Sequence, residues 1–175
     1  MTETLDHSLS ELPLPRPDDA RFRAWAAFLR AHAVVTRRLE SELRAERDLG
    51  LAEYDALVQL ALADDHRLRM SDLAERVLLS RSGVSRLVDR LEASGLVVRA
   101  ACREDARVSW ATLTDAGLAR VREASAAHFR GVETHFLARI PEADREAFVH
   151  ALETVVEAQG APNREDKSSV GSPRA

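Results

Sequence analysis

The chain has 175 residues, of which 45% are hydrophobic and 31% charged, and its formal net charge is −4. This composition is typical of a soluble globular protein with enough residues for one domain and a substantial core. It excludes a membrane-spanning protein, because no apolar run approaches the ~18 residues of a membrane helix, and the acidic first residues differ from a signal peptide.

The cysteine and histidine content argues against disulfide-bonded and metal-binding classes. Cys102 is the single cysteine, so no intrachain disulfide forms, and no zinc-finger spacing is present. His32, His128 and His135 fall on or near apolar helix faces, so a shared metal site is an alternative interpretation of them. However, His128 and His135 are two helical turns apart, too far to chelate one metal from a single helix. We therefore expect a cytoplasmic protein with no metal or other cofactor.

The two ends differ from the middle of the chain. Three prolines within five positions (Pro13, Pro15 and Pro17) forbid a helix in that segment, and we expect residues 1–20 to be a flexible extension. Residues 160–175 are rich in serine and charge and predict a disordered tail. The folded domain is therefore expected over residues 21–159.

Apolar residues predict a long first helix over residues 21–47 and a second that begins after Gly50. Gly50 stands at an N-cap position with Glu53 three residues later. The apolar stripe of the first helix is Phe22, Trp25, Leu29, Val35, Leu39 and Leu43, and that of the second is Tyr54, Leu57, Leu60 and Ala61.

Residues 71–95 predict two short helices joined by a tight turn. Ser71 and Ser80 stand where helix N-caps belong, and Gly95 stands where a helix ends. Helices joined by so short a turn cross steeply, as in a helix-turn-helix. Their apolar faces are Leu73, Ala74 and Val77 in the first, and Val84, Leu87, Val88 and Leu91 in the second.

The second of these helices exposes polar side chains to solvent. Side chains of this kind reach phosphates and base edges in a DNA major groove. Gly83 in its first turn costs about 1 kcal/mol relative to alanine but does not break the pattern. The predicted DNA contacts of this helix are Ser80, Arg81, Ser82, Ser85, Arg86 and Arg90.

A β-hairpin is predicted directly after this helix. Residues 96–102 and 107–113 have strand-like content, and the polar segment 103–106 joins them. Thr114 then caps a long helix, and Pro141 stands at the first position of a last helix. The stripe of the long helix is Leu118, Val121, Ser125, His128, Val132 and His135, and that of the last is Phe148, Ala151, Leu152 and Val155.

The charge distribution reconciles an acidic protein with a nucleic-acid partner. Between Arg76 and Arg107 there are seven arginines and four acidic residues, a local excess of three positive charges. A basic face on an acidic body concentrates attraction where phosphates lie. The alternative is a solvated arginine-rich surface with no partner.

The segment resembles the MarR (multiple-antibiotic-resistance regulator) family of winged-helix repressors. The likeness rests on residues 85–92 (Ser-Arg-Leu-Val-Asp-Arg-Leu-Glu), Gly-Leu-Val at 95–97, Asp105-x-Arg107, and Leu113-Thr114-x-x-Gly117. It implies a mainly α fold with a small β-hairpin wing over residues 21–159, with the winged helix-turn-helix at about 51–113. Helices at about 21–47 and 114–159 would then form a homodimer.

This resemblance implies a ligand-responsive repressor of a pseudo-palindromic operator. The dimer would hold two recognition helices about 34 Å apart, one turn of double-stranded DNA. At the wing, Arg103 or Arg107 would enter the flanking minor groove, and Asp105 would orient an arginine through a charge-assisted hydrogen bond.

An effector pocket for a small aromatic or phenolic molecule is predicted at Trp25, His32 and His128. Each residue has a plainer interpretation, since aromatic and histidine side chains on helix faces commonly pack or form hydrogen bonds at an interface. Cys102 is interpreted as an incidental thiol, although neighbouring arginines lower a thiol pKa and leave a redox role open.

No catalytic motif is present, so we expect that the protein is not an enzyme: the sequence lacks a glycine-rich phosphate loop, H-E-x-x-H and G-x-S-x-G. Two alternatives to a ligand-responsive regulator stay open. One is a constitutive or architectural DNA-binding protein without an effector, and the other is a dimeric protein-interaction module.

Overall fold

The computed structural model describes residues 19–101 and 108–158. The chain divides into two compact units, Met1–Val132 and Glu133–Ala175. Its helices are α1 (Ala20–Arg47), α2 (Leu51–Ala61), α3 (Met70–Arg76), α4 (Arg81–Ala93), α5 (Asp115–His135) and α6 (Glu142–Glu157). Its strands are β1 (Arg67–Arg69), β2 (Val97–Ala101) and β3 (Ser109–Leu113), and short 3₁₀ turns lie at Asp64–His66 and Leu137–Arg139. The expected class, mainly α with a small β-hairpin beside a helix-turn-helix, is confirmed.

The first unit has one core, formed by α2, α3, α4, the end of α1, part of α5 and one face of the sheet. The sheet is antiparallel in the order β1-β3-β2, with Leu68 opposite Ala111 and Val97 opposite Leu113. These four residues point into the core, and their neighbours along the strands point outward. The largest fully buried side chains are Leu43, Leu57, Leu60, Leu73, Leu87, Leu91, Val84, Val88 and Val97.

Three predicted helix ends are confirmed by their hydrogen bonds. Ser80 Oγ accepts from Gly83 N at 3.1 Å, and Thr114 Oγ1 accepts from Gly117 N at 3.0 Å. Gly95 has φ +71° and ends α4 in a Schellman motif, with Leu96 N donating to Leu91 O. Since these ends bracket α4 and begin α5, they set the entry and exit of the segment that bears the predicted DNA contacts.

Gly117 is required by a close approach rather than by backbone freedom. A Cβ at this position would lie 2.2 Å from Leu96 O and 2.6 Å from Leu113 Cδ1. Any side chain here would push the first turn of α5 away from the start of β2 and the end of β3.

Two predicted helix starts are wrong, each by one or two residues. Arg69, not Ser71, is the N-cap of α3, because β1 pairs with β3 up to Arg69 and the helix starts directly after it. Ser71 lies inside the first turn, where its hydroxyl donates to Asp72 Oδ1. Pro141 is the N-cap of α6, with ψ 140°, rather than its first helical residue. The short strand β1 was not predicted.

The buried face of α5 differs from the predicted stripe. The buried positions are Gly117, Val121, Ala124, Ala127 and Gly131, so only Val121 of the predicted stripe is buried. The other members of that stripe are half-buried beside this line. Glycine and alanine allow α5 to approach the core closely. The prediction was wrong because it followed the larger side chains and gave these small residues little weight.

The first and last helices, α1 and α6, which we call the outer helices, keep much of their apolar surface exposed in a single chain. In α1, Leu39 and Leu43 are buried, whereas Phe22, Trp25, Phe28, Leu29 and Val34 are exposed. In α6 no residue is buried, although Phe148, Ala151, Leu152 and Val155 were predicted to face inward. None of the described helices is long and apolar enough to span a membrane.

Candidate nucleic-acid interface

Helix α4 presents a basic side to solvent because its opposite side is fixed in the core. Val84, Leu87, Val88 and Leu91 are each at most 2% exposed. On the solvent side, Ser80, Arg81, Ser82 and Arg86 are exposed, and Ser85 is half-buried. Within the described residues, no hydrogen bond or ion pair occupies the guanidinium of Arg81 or Arg86. These two cations are therefore available to an external anion.

The serines at the start of α4 have a structural role. Ser80 Oγ lies 3.2 Å from Ser82 Oγ, in addition to accepting the hydrogen bond from Gly83 N. The cap satisfies one of the first backbone N–H groups of α4 and so stabilises its first turn, which is the part of a recognition helix that contacts base edges.

Arg90 is held by a neighbouring helix, unlike Arg86 one turn earlier. Its Nε donates to Glu53 Oε1 at 3.0 Å and its Nη1 donates to Arg86 O at 3.2 Å. Burial alone raises the pKa of Glu53, but the hydrogen bonds from Gly50 N and Arg90 outweigh burial and lower the pKa overall. Glu53 thus stays ionised and holds α4 against the start of α2, and Arg90 is placed mainly by this contact.

Arg99 joins α4 to the sheet, and sequence reasoning did not single it out. Its Nη1 donates to Ser85 Oγ at 3.2 Å and to Asp89 Oδ1 at 3.1 Å, and its Nε donates to Ser109 Oγ at 3.2 Å. The sequence signal was the alternation in β2, which places Arg99 on the same side as Val97 and therefore towards α4.

A cleft of about 420 Å³ lies where α3, α4 and the sheet meet. Arg69, Arg81 and Arg99 are among its lining residues, and the charge of Arg99 is paired with Asp89. The remaining lining residues are Met70, Ser71, Val84, Ser85, Val108 and Ser109. The predicted Ser85 and Arg81 thus share one basic concave surface with Arg69, which was not predicted as a contact.

The predicted wing contacts Arg103, Asp105 and Arg107 lie outside the described residues, as does Cys102. The two strands on either side of them are present and paired from Val97 opposite Leu113 to Ala101 opposite Ser109. The hairpin that defines a wing is therefore confirmed up to these ends.

The predicted pocket residues lie at two places in the first unit. Trp25, Phe28 and His32 stack along an exposed face of α1, with ring centroids 6.0 and 6.3 Å apart. His128 instead packs on Tyr54 with ring centroids 4.6 Å apart. Its Nδ1 is buried and has no hydrogen-bond partner within the described residues. Burial, opposed by the Asp55 carboxylate, lowers the pKa of His128, so the neutral ring is favoured.

Within residues 19–101 and 108–158, no group of three histidine, cysteine or acidic side chains is arranged to hold a metal ion. His32 lies on the exposed face of α1, whereas His128 packs against Tyr54, so these two histidines do not form a shared site within one chain.

The sequence is similar to a family model and to known transcriptional regulators. A MarR family model matches residues 47–108. An HTH-type transcriptional regulator from Bacillus cereus is 32% identical over 87 residues, 50% of this chain and 56% of that protein. The transcriptional repressor YetL of Bacillus subtilis is 30% identical over 62% of this chain and 64% of that protein. The chain thus spans little more than half the length of the curated relatives it matches first.

Solved structures extend the likeness to most of the chain. AbsC, a MarR family transcriptional regulator from Streptomyces coelicolor, is 31% identical with a TM-score of 0.76, covering 84% of this chain and 99% of that one. Sco3205 from the same organism, a MarR family regulator solved in complex with DNA, is 28% identical with a TM-score of 0.73, covering 81% and 92%. These relatives are regulators rather than enzymes, and this chain belongs to the MarR family of transcriptional regulators.

Proposed function

We propose that the protein is a cytoplasmic, ligand-responsive repressor that binds a pseudo-palindromic operator as a homodimer. The observation that carries this proposal is the geometry of α4, whose apolar side is buried while Arg81 and Arg86 face solvent without a partner in the described residues. The DNA complex of Sco3205 and the repressor name of YetL support the same function.

Dimerisation is proposed to use α1 and α6. Trp25 is 56% exposed, Val149 51% and Val155 62%, although all three lie on predicted apolar stripes or next to one. Apolar surface of this extent on two separate helices is typical of an interface between subunits. A second copy would place two α4 helices about one turn of DNA apart, so that both enter one face of the duplex.

DNA recognition is proposed to divide between the two sides of α4. Arg86 contacts a guanine edge or a phosphate, whereas Arg90 and Arg99 hold the helix through Glu53, Ser85 and Asp89. The wing residues Arg103 and Arg107 are proposed to contact the adjacent minor groove, with Asp105 orienting one of them.

The effector is proposed to be a small aromatic or phenolic molecule that binds at His128. A phenol hydroxyl would donate to the unpartnered Nδ1, and Tyr54 provides an aromatic wall. Glu46 of α1 pairs with Arg130 of α5, two residues after His128, so this end of α1 lies beside His128. His32 is 14 residues earlier in α1, roughly 20 Å away along the helix axis. Trp25 and His32 would therefore reach the ligand from the second copy and not from the same chain. Binding there would change the spacing of the two recognition helices.

Selection from a random duplex library tests the DNA-binding part of this proposal. We expect enriched duplexes with two inverted half-sites about one helical turn apart. Arg86→Ala should weaken binding to the enriched duplex by about 1–3 kcal/mol, whereas Arg122→Ala, which removes an exposed charge from α5, should not. A folded Arg86→Ala protein with unchanged affinity would contradict the assigned orientation of α4.

A thermal-shift screen of phenolic and aromatic acids tests the effector part. A ligand that raises the melting temperature and releases the enriched duplex supports regulation, and His128→Phe should remove both effects. If no ligand in such a screen stabilises the protein, the constitutive DNA-binding alternative is favoured.

A further inference from the structure

The outer face of the sheet carries a tryptophan between two arginines, and no predicted contact accounts for it. Trp110 of β3 pairs directly with Arg69 of β1, and Arg67 lies two residues away on the same face. The guanidinium carbons of Arg67 and Arg69 are 5.1 and 5.4 Å from the centroid of the Trp110 ring. We refer to Arg67, Arg69 and Trp110 as the arginine–tryptophan face.

Burial alternates along β1 and so fixes this arrangement. Leu68 is 7% exposed and points into the core opposite Ala111, which is fully buried. Arg67 and Arg69 must therefore point outward, because successive strand residues alternate between faces. The side chain of Arg67 is 52% exposed, and a 3.4 Å contact to the exposed carboxylate of Asp65 is its one ion pair within residues 19–101 and 108–158. The pair is thus held in place by Trp110 while remaining open to solvent.

Stacking on an indole leaves the donors of a guanidinium free. The planar group lies over the ring face, and its N–H bonds project at the edges, where a phosphate oxygen binds. A side chain already held in one position loses less conformational entropy when it binds an anion. The arginine–tryptophan face is therefore suited to contact phosphates.

Its position favours the DNA backbone as the source of those phosphates. Arg69 lines the same cleft as Arg81 and Ser85 of α4, so the face adjoins the surface that carries the predicted base contacts at this one residue. A protein partner would more commonly require a larger apolar patch beside the tryptophan. The outward neighbours are Thr112, Ala100 and Val98, of which only Val98 is a large apolar side chain.

We propose that Arg67 and Arg69, held by Trp110, form a phosphate-binding extension of the DNA interface on the side of α4 that β1 occupies. This rests on the proposed DNA-binding function and deepens it, because it assigns sequence-independent affinity to β1 and leaves base recognition to α4. The two contributions differ in their response to salt and to sequence.

The test compares variants on two duplexes, the enriched one and a random-sequence duplex of about 30 base pairs, over a range of salt concentrations. Arg67→Ala and Arg69→Ala should each weaken binding to both duplexes by a similar factor, about eightfold at 0.1 M salt for each phosphate that is no longer neutralised. Each should also reduce the slope of log affinity against log salt by about one for each such phosphate. Arg122→Ala, with the same change in charge on α5, should change neither quantity.

Substitutions of Trp110 distinguish the positioning of Arg67 and Arg69 from their charge. Trp110→Leu should weaken binding by about two- to fivefold while leaving the salt slope unchanged, because both arginines remain. Trp110→Phe should restore most of this loss, since a phenyl ring still stacks with a guanidinium. Melting temperatures of all variants verify that the sheet remains folded.

The outcomes distinguish this inference from the proposed function. If the wild-type protein binds DNA and the Arg67 and Arg69 variants match it in affinity and salt slope, the inference is wrong and the proposed function stands. If the wild-type protein binds neither duplex, both the proposed function and this inference fail. A loss confined to the enriched duplex would also overturn the inference, because it indicates base recognition.

Discussion

Helices α4 and α6 each carry an apolar stripe, but the two stripes have opposite environments in the single chain. In α4, Val84, Leu87, Val88 and Leu91 are buried by α2, α3 and the sheet. In α6, no residue is buried, and Val155 is 62% exposed. An apolar stripe therefore predicts burial without identifying what buries it. The partner of α4 is within the chain, and we propose that the partner of α6 is a second copy.

Shortening a side chain on the buried side of α4 should give the largest effect on stability. Leu87 is 1% exposed, so Leu87→Ala should lower the free energy of unfolding by about 2–5 kcal/mol, because less apolar surface is buried and a cavity remains. Urea unfolding followed by circular dichroism measures this.

The matched control for this substitution is Leu62→Ala. Leu62 is 76% exposed, so its loss should change the free energy of unfolding by no more than about 0.5 kcal/mol. Equal losses for the two variants would show that the described core does not determine the stability of the first unit.

A charge on the exposed stripe of α6 should act on assembly rather than on folding. Val155→Glu should shift the protein from two chains to one at micromolar concentration, because an unpaired carboxylate at a subunit interface loses hydration. Light scattering measures the mass, and circular dichroism should show unchanged helix content.

Val98→Glu provides the comparison for this prediction. Val98 is 52% exposed but lies on the outer face of the sheet, so the same substitution should leave the assembly intact. If both variants dissociate, or neither does, α6 does not form the proposed interface.

The smallest predicted effect is the pH dependence contributed by His128. Burial lowers the pKa of His128 in the folded protein, so the unfolded chain, with a pKa near 6.5, binds the proton more readily. Its contribution to stability is present above that value and is lost as the pH falls from about 6.5 towards the folded-state pKa.

Thermal unfolding between about pH 7 and pH 5 should therefore show a loss of stability from this residue as the pH falls. His128→Phe keeps a ring against Tyr54 and should remove that part of the pH dependence. A profile identical to wild type would show that His128 does not account for it.

The local signals that sequence reasoning used well were caps and periodic apolar residues. Ser80, Gly95 and Thr114 were placed correctly because each acts through its immediate neighbours. The buried face of α4 was equally clear, since its four apolar residues recur at helical spacing.

The features that sequence reasoning missed depend on contacts between distant segments. The three-residue strand β1 exists because it pairs with β3, and it moved the start of α3 from Ser71 to the residue after Arg69. The role of Arg99 depends on Ser85 and Asp89, 14 and 10 positions away along the chain. The distinction between Arg86 and Arg90 required Glu53, 37 positions from Arg90.

We propose that a homodimer binds DNA through two α4 helices. The most direct test is the composition of the complex with an enriched duplex, measured by native mass spectrometry. Two chains bound to one duplex are predicted, because a homodimer places two α4 helices on one face of the DNA. Val155→Glu should remove that species at the same concentration. A complex with a single chain on each duplex, or no complex at all, would contradict the proposal that the exposed stripes of the outer helices pair two DNA-binding units.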